Sequence, residues 1–112
     1  MLKQIRGDTR KYYFQRIDAQ GNVIAARPDS LYFTVKKNYS TEDFIIQKTL
    51  NDMTFDETDS SWHFTIEPSD TDGQKYGTYV FDIQVLQDTV KTTIARGEFI
   101  IEEEVTFVEN EG

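Results

Sequence analysis

The sequence predicts an all-β domain in which seven to nine short strands form a two-sheet sandwich. The clearest indication is the segment 77–85, where apolar or aromatic side chains occupy every second position: Tyr79, Phe81, Ile83 and Val85. This period of two is that of a strand with one buried face. Similar segments recur between turn-forming residues at the spacing typical of a sandwich. No stretch of useful length has the period of a helix.

Turn-forming residues divide the first quarter of the chain into short strands. Residues 2–6 form the first predicted strand, which Gly7 ends, and the aromatic segment 11–17 forms the second. Gly21 supplies the left-handed backbone position of a turn, because glycine has no Cβ to clash there. Residues 23–25 are then expected to return as a short strand.

The middle of the chain continues the alternation. In the segment 30–37, the side chains of Leu31, Phe33 and Val35 share one face, and mostly polar side chains occupy the other. This pattern predicts a strand with its apolar face in the core. A polar connection leads to a further predicted strand at 43–49.

Two more strands are predicted before the C-terminal third. They lie at 53–55 and 62–66, on either side of a polar, acidic loop at 56–60. Pro68 ends the second of them, because proline lacks the backbone N–H that a strand ladder needs. Residues 69–75 are expected to form a loop or a single helical turn.

The two longest predicted strands, 78–86 and 91–102, are joined by a hairpin around Gln87 and Asp88. In the second of these strands, the inward-facing positions change from even to odd numbers. A glycine lies between the two registers, which predicts a β-bulge near Arg96 and Gly97.

The 112 residues are expected to form one domain at 1–108, with a possible edge segment at 105–108 and a frayed acidic tail at 109–112. The absence of cysteine excludes disulfides, thiolate zinc sites and cysteine nucleophiles. The net charge is −8, with 20 acidic against 12 basic residues. Nucleic acid and anionic membranes are therefore not expected as partners, because both require a concentrated basic surface. The N-terminus has no apolar core of a secretory signal.

The start of the strand at 77–85 resembles the strand-F signature of immunoglobulin-like domains. In that signature a tyrosine lies two residues before a buried core position and hydrogen-bonds back across a corner. Tyr79 and Phe81 match these two places. Phe81 replaces the cysteine of antibody domains, and Trp62 is too close in sequence to be their strand-C tryptophan. The resemblance therefore implies an immunoglobulin-like antiparallel β-sandwich outside the antibody family.

A wider resemblance covers nearly the whole chain. The segments that carry it, in order, are 5–9, 18–22, 31–36, 64–71, 77–84 and 97–106. This series resembles the immunoglobulin-like modules of tailed bacteriophages and prophages, in particular the N-terminal domains of baseplate upper proteins in phages of Gram-positive bacteria. The resemblance implies a noncatalytic virion component of the tail or baseplate, made in the cytoplasm of a bacterial host. Its expected partners are other virion proteins or further copies of itself.

No catalytic, cofactor or metal site is expected from the sequence. His63 is the only histidine, and it lies between Trp62 and Phe64, so its side chain is expected to point away from the core. The segment Asp70-Thr71-Asp72-Gly73 lacks the glutamate of a calcium-binding EF-hand loop and is interpreted as a turn. Four acids lie near Phe55 and are interpreted as a solvated loop, with adventitious calcium as the alternative: Asp52, Asp56, Glu57 and Asp59.

A possible interaction surface is assigned to side chains expected at outward or terminal positions. They are Tyr13, Tyr32, Arg6, Arg10, Glu102 and Glu104. Basic residues concentrate near the N-terminus and acidic residues near the C-terminus, which suggests head-to-tail attraction between subunits as one hypothesis. Exposed tyrosines also stack on sugars. A carbohydrate-binding or adhesin-like sandwich is therefore the alternative function, with a glycan as its partner.

Overall fold

The computed structural model describes residues 1–103. In this part of the chain it contains eight strands, a 3₁₀ turn at Leu50–Asp52 and one short helix, α1 (Pro68–Thr71). The strands are β1 (Leu2–Ile5), β2 (Arg10–Gln15), β3 (Ser30–Lys36), β4 (Ile46–Thr49), β5 (Thr54–Asp56), β6 (Ser61–Ile66), β7 (Gly77–Gln87) and β8 (Val90–Glu102). The predicted all-β fold is confirmed. Glu104, the edge segment 105–108 and the tail 109–112 lie outside the described residues.

The strands form two sheets. The five-stranded sheet has the order β1-β8-β7-β3-β4, and the three-stranded sheet has the order β2-β6-β5. Neighbouring strands are antiparallel except β1, which runs parallel to β8. Among residues 1–103, no helix has the length and apolar character needed to cross a membrane.

One core lies between the two sheets. Phe33 of the five-stranded sheet lies at its centre, with ring centroids 4.5 Å from Phe64 of the opposite sheet and 5.8 Å from Phe81 of its own. The alternation predicted for β7 is confirmed, because Tyr79, Phe81 and the two following apolar side chains of the same face are all buried. Trp62 lies on β6 and is buried as well.

The predicted β-bulge exists, but its predicted position was wrong. Ile83 of β7 pairs with Ala95 and the next residue, Gln84, pairs with Thr93, so Ile94 is the extra residue of β8. The glycine has a different role. A Cβ on Gly97 would lie 3.3 Å from the ring of Phe81, so the absence of a side chain at this position leaves room for that ring.

The turns and short strands also differ in detail from the predictions. The β7–β8 turn consists of Asp88 and Thr89, both with positive φ, one residue later than predicted. The predicted strand at 23–25 is reduced to a single bridge between Val23 and Ile17. The strand predicted at 43–49 begins only at Ile46. A single helical turn was one of the two structures predicted for 69–75. It is present as α1, which begins one residue earlier, at Pro68.

Candidate functional site

Three connections meet at one end of the molecule, here called the loop end: 16–29 between β2 and β3, 57–60 between β5 and β6, and 88–89 between β7 and β8. Side chains join them. Gln15 Nε2 donates to the backbone oxygen of Asp59 at 2.7 Å, and Asp29 Oδ2 accepts from the backbone N–H of Asp88 at 3.0 Å. The loop end is therefore one connected surface made from segments that are far apart in sequence.

An open groove of about 300 Å³ lies at the loop end. It is called the apolar groove here, and its apolar lining is Ile17, Ile24, Val85, Val90 and Ile94. Three of these side chains remain strongly accessible, since Val90 is 63%, Ile17 58% and Ile94 39% exposed.

The groove follows from unequal strand lengths. β7 and β8 have 11 and 13 residues, whereas β2 and β6, which cover them, have 6 each. The part of the long hairpin nearest its turn therefore extends beyond the opposite sheet, where only the connection 16–29 covers it. The bulge at Ile94 changes the register in this region and leaves another apolar side chain accessible.

The polar wall of the apolar groove contains a buried arginine. Arg16 is only 7% exposed. It donates from Nη1 to the backbone oxygen of Ala26 at 2.8 Å and from Nη2 to Gln87 Oε1 at 2.7 Å. Burial lowers the pKa of its guanidinium below the ordinary value. Both acceptors are neutral, so the positive charge is not balanced by them, and a carboxylate entering the groove would be attracted to it.

A chain of hydrogen bonds lies on the outer face of the three-stranded sheet, beside the loop end. Ser61, which is 3% exposed, donates its hydroxyl proton to Asp59 Oδ1 at 2.6 Å. Its oxygen lies 2.8 Å from His63 Nε2. Since a hydroxyl has one proton and the carboxylate takes it, the imidazole donates its Nε2–H to Ser61.

This direction of donation decides the chemistry of Ser61. A serine nucleophile needs a histidine that accepts its proton. Here the proton of Ser61 is directed to Asp59, and the histidine donates instead. The arrangement therefore lacks the pairing of a serine hydrolase, although the same residue types are present.

A second aspartate joins this network. One donor atom each of Asp56, Asp59 and His63 lies within 4.8 Å of the other two. Asp56 Oδ1 accepts from the hydroxyl and the backbone N–H of Thr58 at 2.6 and 2.9 Å. These hydrogen bonds, the one from the hydroxyl contributing most, lower the pKa of the Asp56 carboxyl below its ordinary value. The Asp56 carboxylate is therefore favoured over the neutral acid.

The predicted charged residues lie at the opposite end of the molecule. The Arg6 backbone N–H donates to the Glu102 backbone oxygen at 3.0 Å, because β1 and β8 run side by side in parallel. Arg10 donates to the backbone oxygen of Lys3 and lies over the ring of Tyr12. Within the described residues, Arg6 and Glu102 are thus neighbours in one chain, and Glu104 lies outside them. Head-to-tail attraction between subunits stays a prediction.

The two predicted tyrosines do not form one platform. Tyr13 lies on the outer face of the three-stranded sheet, is 70% exposed, and has its ring 5.3 Å from that of His63. Tyr32 is half-buried on β3, where it pairs with Thr49 and Gln84 on the outer face of the other sheet. The two tyrosines therefore cannot stack on one sugar together, and the alternative function, a carbohydrate-binding or adhesin-like sandwich using exposed tyrosines, stays a prediction.

His63 and Asp70 lie on different elements, β6 and α1. His63 points away from Trp62 and Phe64, as predicted. Asp70, which opens the segment interpreted as a turn, lies in α1. Its Oδ2 accepts from the backbone N–H of Glu67 at 2.7 Å, at the start of α1, and pairs with Lys48 at 2.9 Å.

Comparison with known proteins identifies no relative: no family model matches the chain, and no curated protein matches it. The loop-end residues were missed by sequence reasoning, which treated His63 and the acidic loop separately. One signal could have joined them. In a hairpin with Asp56 opposite Ser61, the alternation of side chains places Asp56, Ser61 and His63 on the same face.

Proposed function

We propose that this chain is a noncatalytic structural module of a tailed-phage or prophage virion, a tail or baseplate component that acts through protein–protein contacts. The apolar groove at the loop end is the observation that carries the contact role. Accessible side chains of Ile17, Val90 and Ile94 are concentrated in one place there, instead of being scattered singly over the surface. The ordered sequence segments that resemble phage modules support the virion setting.

An immunoglobulin-like sandwich is the fold that we propose for this module. The order β2-β6-β5 corresponds to strands B, E and D of that fold, and β8-β7-β3-β4 corresponds to G, F, C and C′ of its variable type. β1 leaves the three-stranded sheet and pairs with the last strand instead.

A local feature supports the same fold. The Tyr79 hydroxyl donates to the backbone oxygen of Lys75 at 2.7 Å, four residues upstream. This bond matches the one expected of a tyrosine corner, which the sequence resemblance implied. Phe81, two residues later, packs against Phe33 in the core, where antibody domains have a cysteine.

The groove has the character of a contact site for protein. Its centre is apolar, and Arg16 and Gln87 provide polar groups at its wall. Arginine is enriched at the energetic centres of protein interfaces, where an apolar centre excludes water from the charged contact. We infer that a neighbouring virion protein or a second copy inserts an apolar side chain here, with a carboxylate directed to the arginine.

Sedimentation velocity over a range of concentrations tests the contact. Val90→Ser and Ile17→Ser remove apolar groups from the groove, and we expect each to weaken self-association, or binding to proteins encoded by neighbouring genes, by at least about tenfold. Phe44→Ser is the matched control, because Phe44 is also exposed but does not line the groove.

Two results would overturn the proposal. One is equal weakening by the control and the groove variants. The other is a strict monomer at high concentration that also binds none of the neighbouring gene products. Mass spectrometry of purified particles tests the virion setting separately, because a virion component must be present in them.

A further inference from the structure

We propose that Asp56, Asp59 and His63 form a surface site for a divalent transition metal of the zinc class. The site would be open to solvent, with protein ligands on one side and water completing the coordination. It uses none of the residues that line the apolar groove, so it is independent of the proposed function.

The three donor groups are already close enough for a common ion. Ligand atoms around a zinc ion at 2.0–2.2 Å are about 3–4 Å apart, and here one donor atom of each residue lies within 4.8 Å of the others. Small side-chain rotations would therefore close the site. His63 and Asp56 are half-buried and Asp59 is exposed, so an ion can enter from solvent.

The loop holds the carboxylates in place without using all their oxygens. Asp56 Oδ1 accepts two hydrogen bonds from Thr58, and Asp59 Oδ1 accepts two from Ser61. In both aspartates these contacts go to Oδ1, so each carboxylate is held in a fixed orientation before an ion arrives. Hydrogen-bonded carboxylates of this kind are the usual support of a metal ligand.

The imidazole is held in orientation from two sides. Its Nε2–H donates to Ser61, and its ring lies against that of Tyr13 at 5.3 Å with an interplanar angle of 34°. This tautomer leaves the lone pair at Nδ1. Coordination through Nδ1 would keep the Ser61 contact, and coordination through Nε2 would replace it. Either way, the ring is confined to the side of the sheet where the carboxylates lie.

The ligand set selects the metal class. Calcium takes six to eight oxygen ligands and magnesium an octahedron of oxygens. Imidazole together with carboxylates suits zinc, nickel and copper instead. The histidine therefore distinguishes this site from the adventitious calcium that an acidic loop alone would attract.

Titration calorimetry with zinc chloride on the whole chain tests the site. We expect one equivalent of zinc to bind. His63→Gln should weaken the zinc affinity by at least about tenfold. Even the loss of a residue that only hydrogen-bonds to a metal ligand lowers metal affinity about 10- to 100-fold. Asp56→Asn should have a similar effect. Calcium and magnesium at the same concentrations should bind at least tenfold more weakly than zinc.

Glu57→Gln is the matched control, because Glu57 is an exposed acid of the same loop that is not among the three proposed ligands. It should leave zinc affinity within about twofold of the original. Thermal unfolding, followed by the emission of the buried Trp62, establishes that each variant is folded. The proposal is overturned by absence of zinc binding, by calcium binding as tightly as zinc, or by equal losses in Glu57→Gln and His63→Gln.

Discussion

Removing one hydroxyl group, in Tyr79→Phe, tests whether the corner before β7 stabilises the fold. The ring of Tyr79 is buried, and its hydroxyl donates to the Lys75 backbone oxygen at 2.7 Å. A hydrogen bond of this kind contributes about 0.5–1.5 kcal/mol net. Lys75 is exposed, so its carbonyl can bond to water after the change, and the larger cost of an orphaned buried acceptor does not apply. We expect a loss of about 1 kcal/mol.

The loss can be measured by chemical and thermal unfolding. For a chain of this length, 1 kcal/mol lowers the melting temperature by about 3–6 °C. Trp62 is the only tryptophan and is buried, so its emission follows global unfolding. Tyr13→Phe is the control, because the same atom is removed from an exposed ring and the expected change is under about 0.5 kcal/mol. Equal stabilities of the two variants would refute the reasoning, since the corner bond would then contribute nothing.

Three further perturbations follow from particular positions. Thr89→Gly should raise the free energy of unfolding by about 1 kcal/mol, because the β-branched Thr89 has a φ of +66° in the β7–β8 turn. The urea midpoint should rise accordingly, and an unchanged or lower midpoint would contradict this. Gly97→Ala should lower the melting temperature, at a cost of about 1 kcal/mol, because its Cβ would press on the buried Phe81 ring; a calorimetric trace identical to that of the original chain would show that the ring can move. Burial raises the pKa of Tyr12, although the charge of Arg10 opposes the effect. The folded chain therefore holds this proton more tightly than the unfolded one, and the associated stability is present below about pH 10 and lost as pH rises toward the higher folded value. Urea midpoints measured from pH 8 to 11 should fall less steeply in Tyr12→Phe than in the original chain. Equal slopes in the two chains would show that Tyr12 does not cause this pH dependence.

The strands could be predicted because their signal is local. Alternation in β3, β6 and β7 depends only on neighbouring positions, and a buried face requires apolar side chains at every second residue. The bulge was harder, because a change of register and a glycine coincide in β8. Only the packing of Phe81 shows why position 97 is small, and only the pairing of β7 with β8 shows that Ile94 is the extra residue.

The candidate sites were not predictable in the same way. The apolar groove exists because β7 and β8 are longer than the strands that cover them, and strand pairing between distant segments decides this. The spatial arrangement of the charged residues could not be predicted for a related reason. The parallel pairing of β1 with β8 brings Arg6 and Glu102 together, so a separation in sequence becomes contact in space.

The two proposed sites are neighbours, and their tests can still fail separately. Gln15 bonds to Asp59 in the zinc-site loop, and the next residue, Arg16, bonds to Gln87 at the wall of the apolar groove. If the sites are independent, Val90→Ser weakens protein contact and keeps zinc binding, and His63→Gln does the reverse. If zinc changes the strength of protein contact, we expect the coupling to act through the end of β2, because the side-chain bonds to both sites begin there. Gln15→Ala should then abolish the effect of zinc on contact without removing either site.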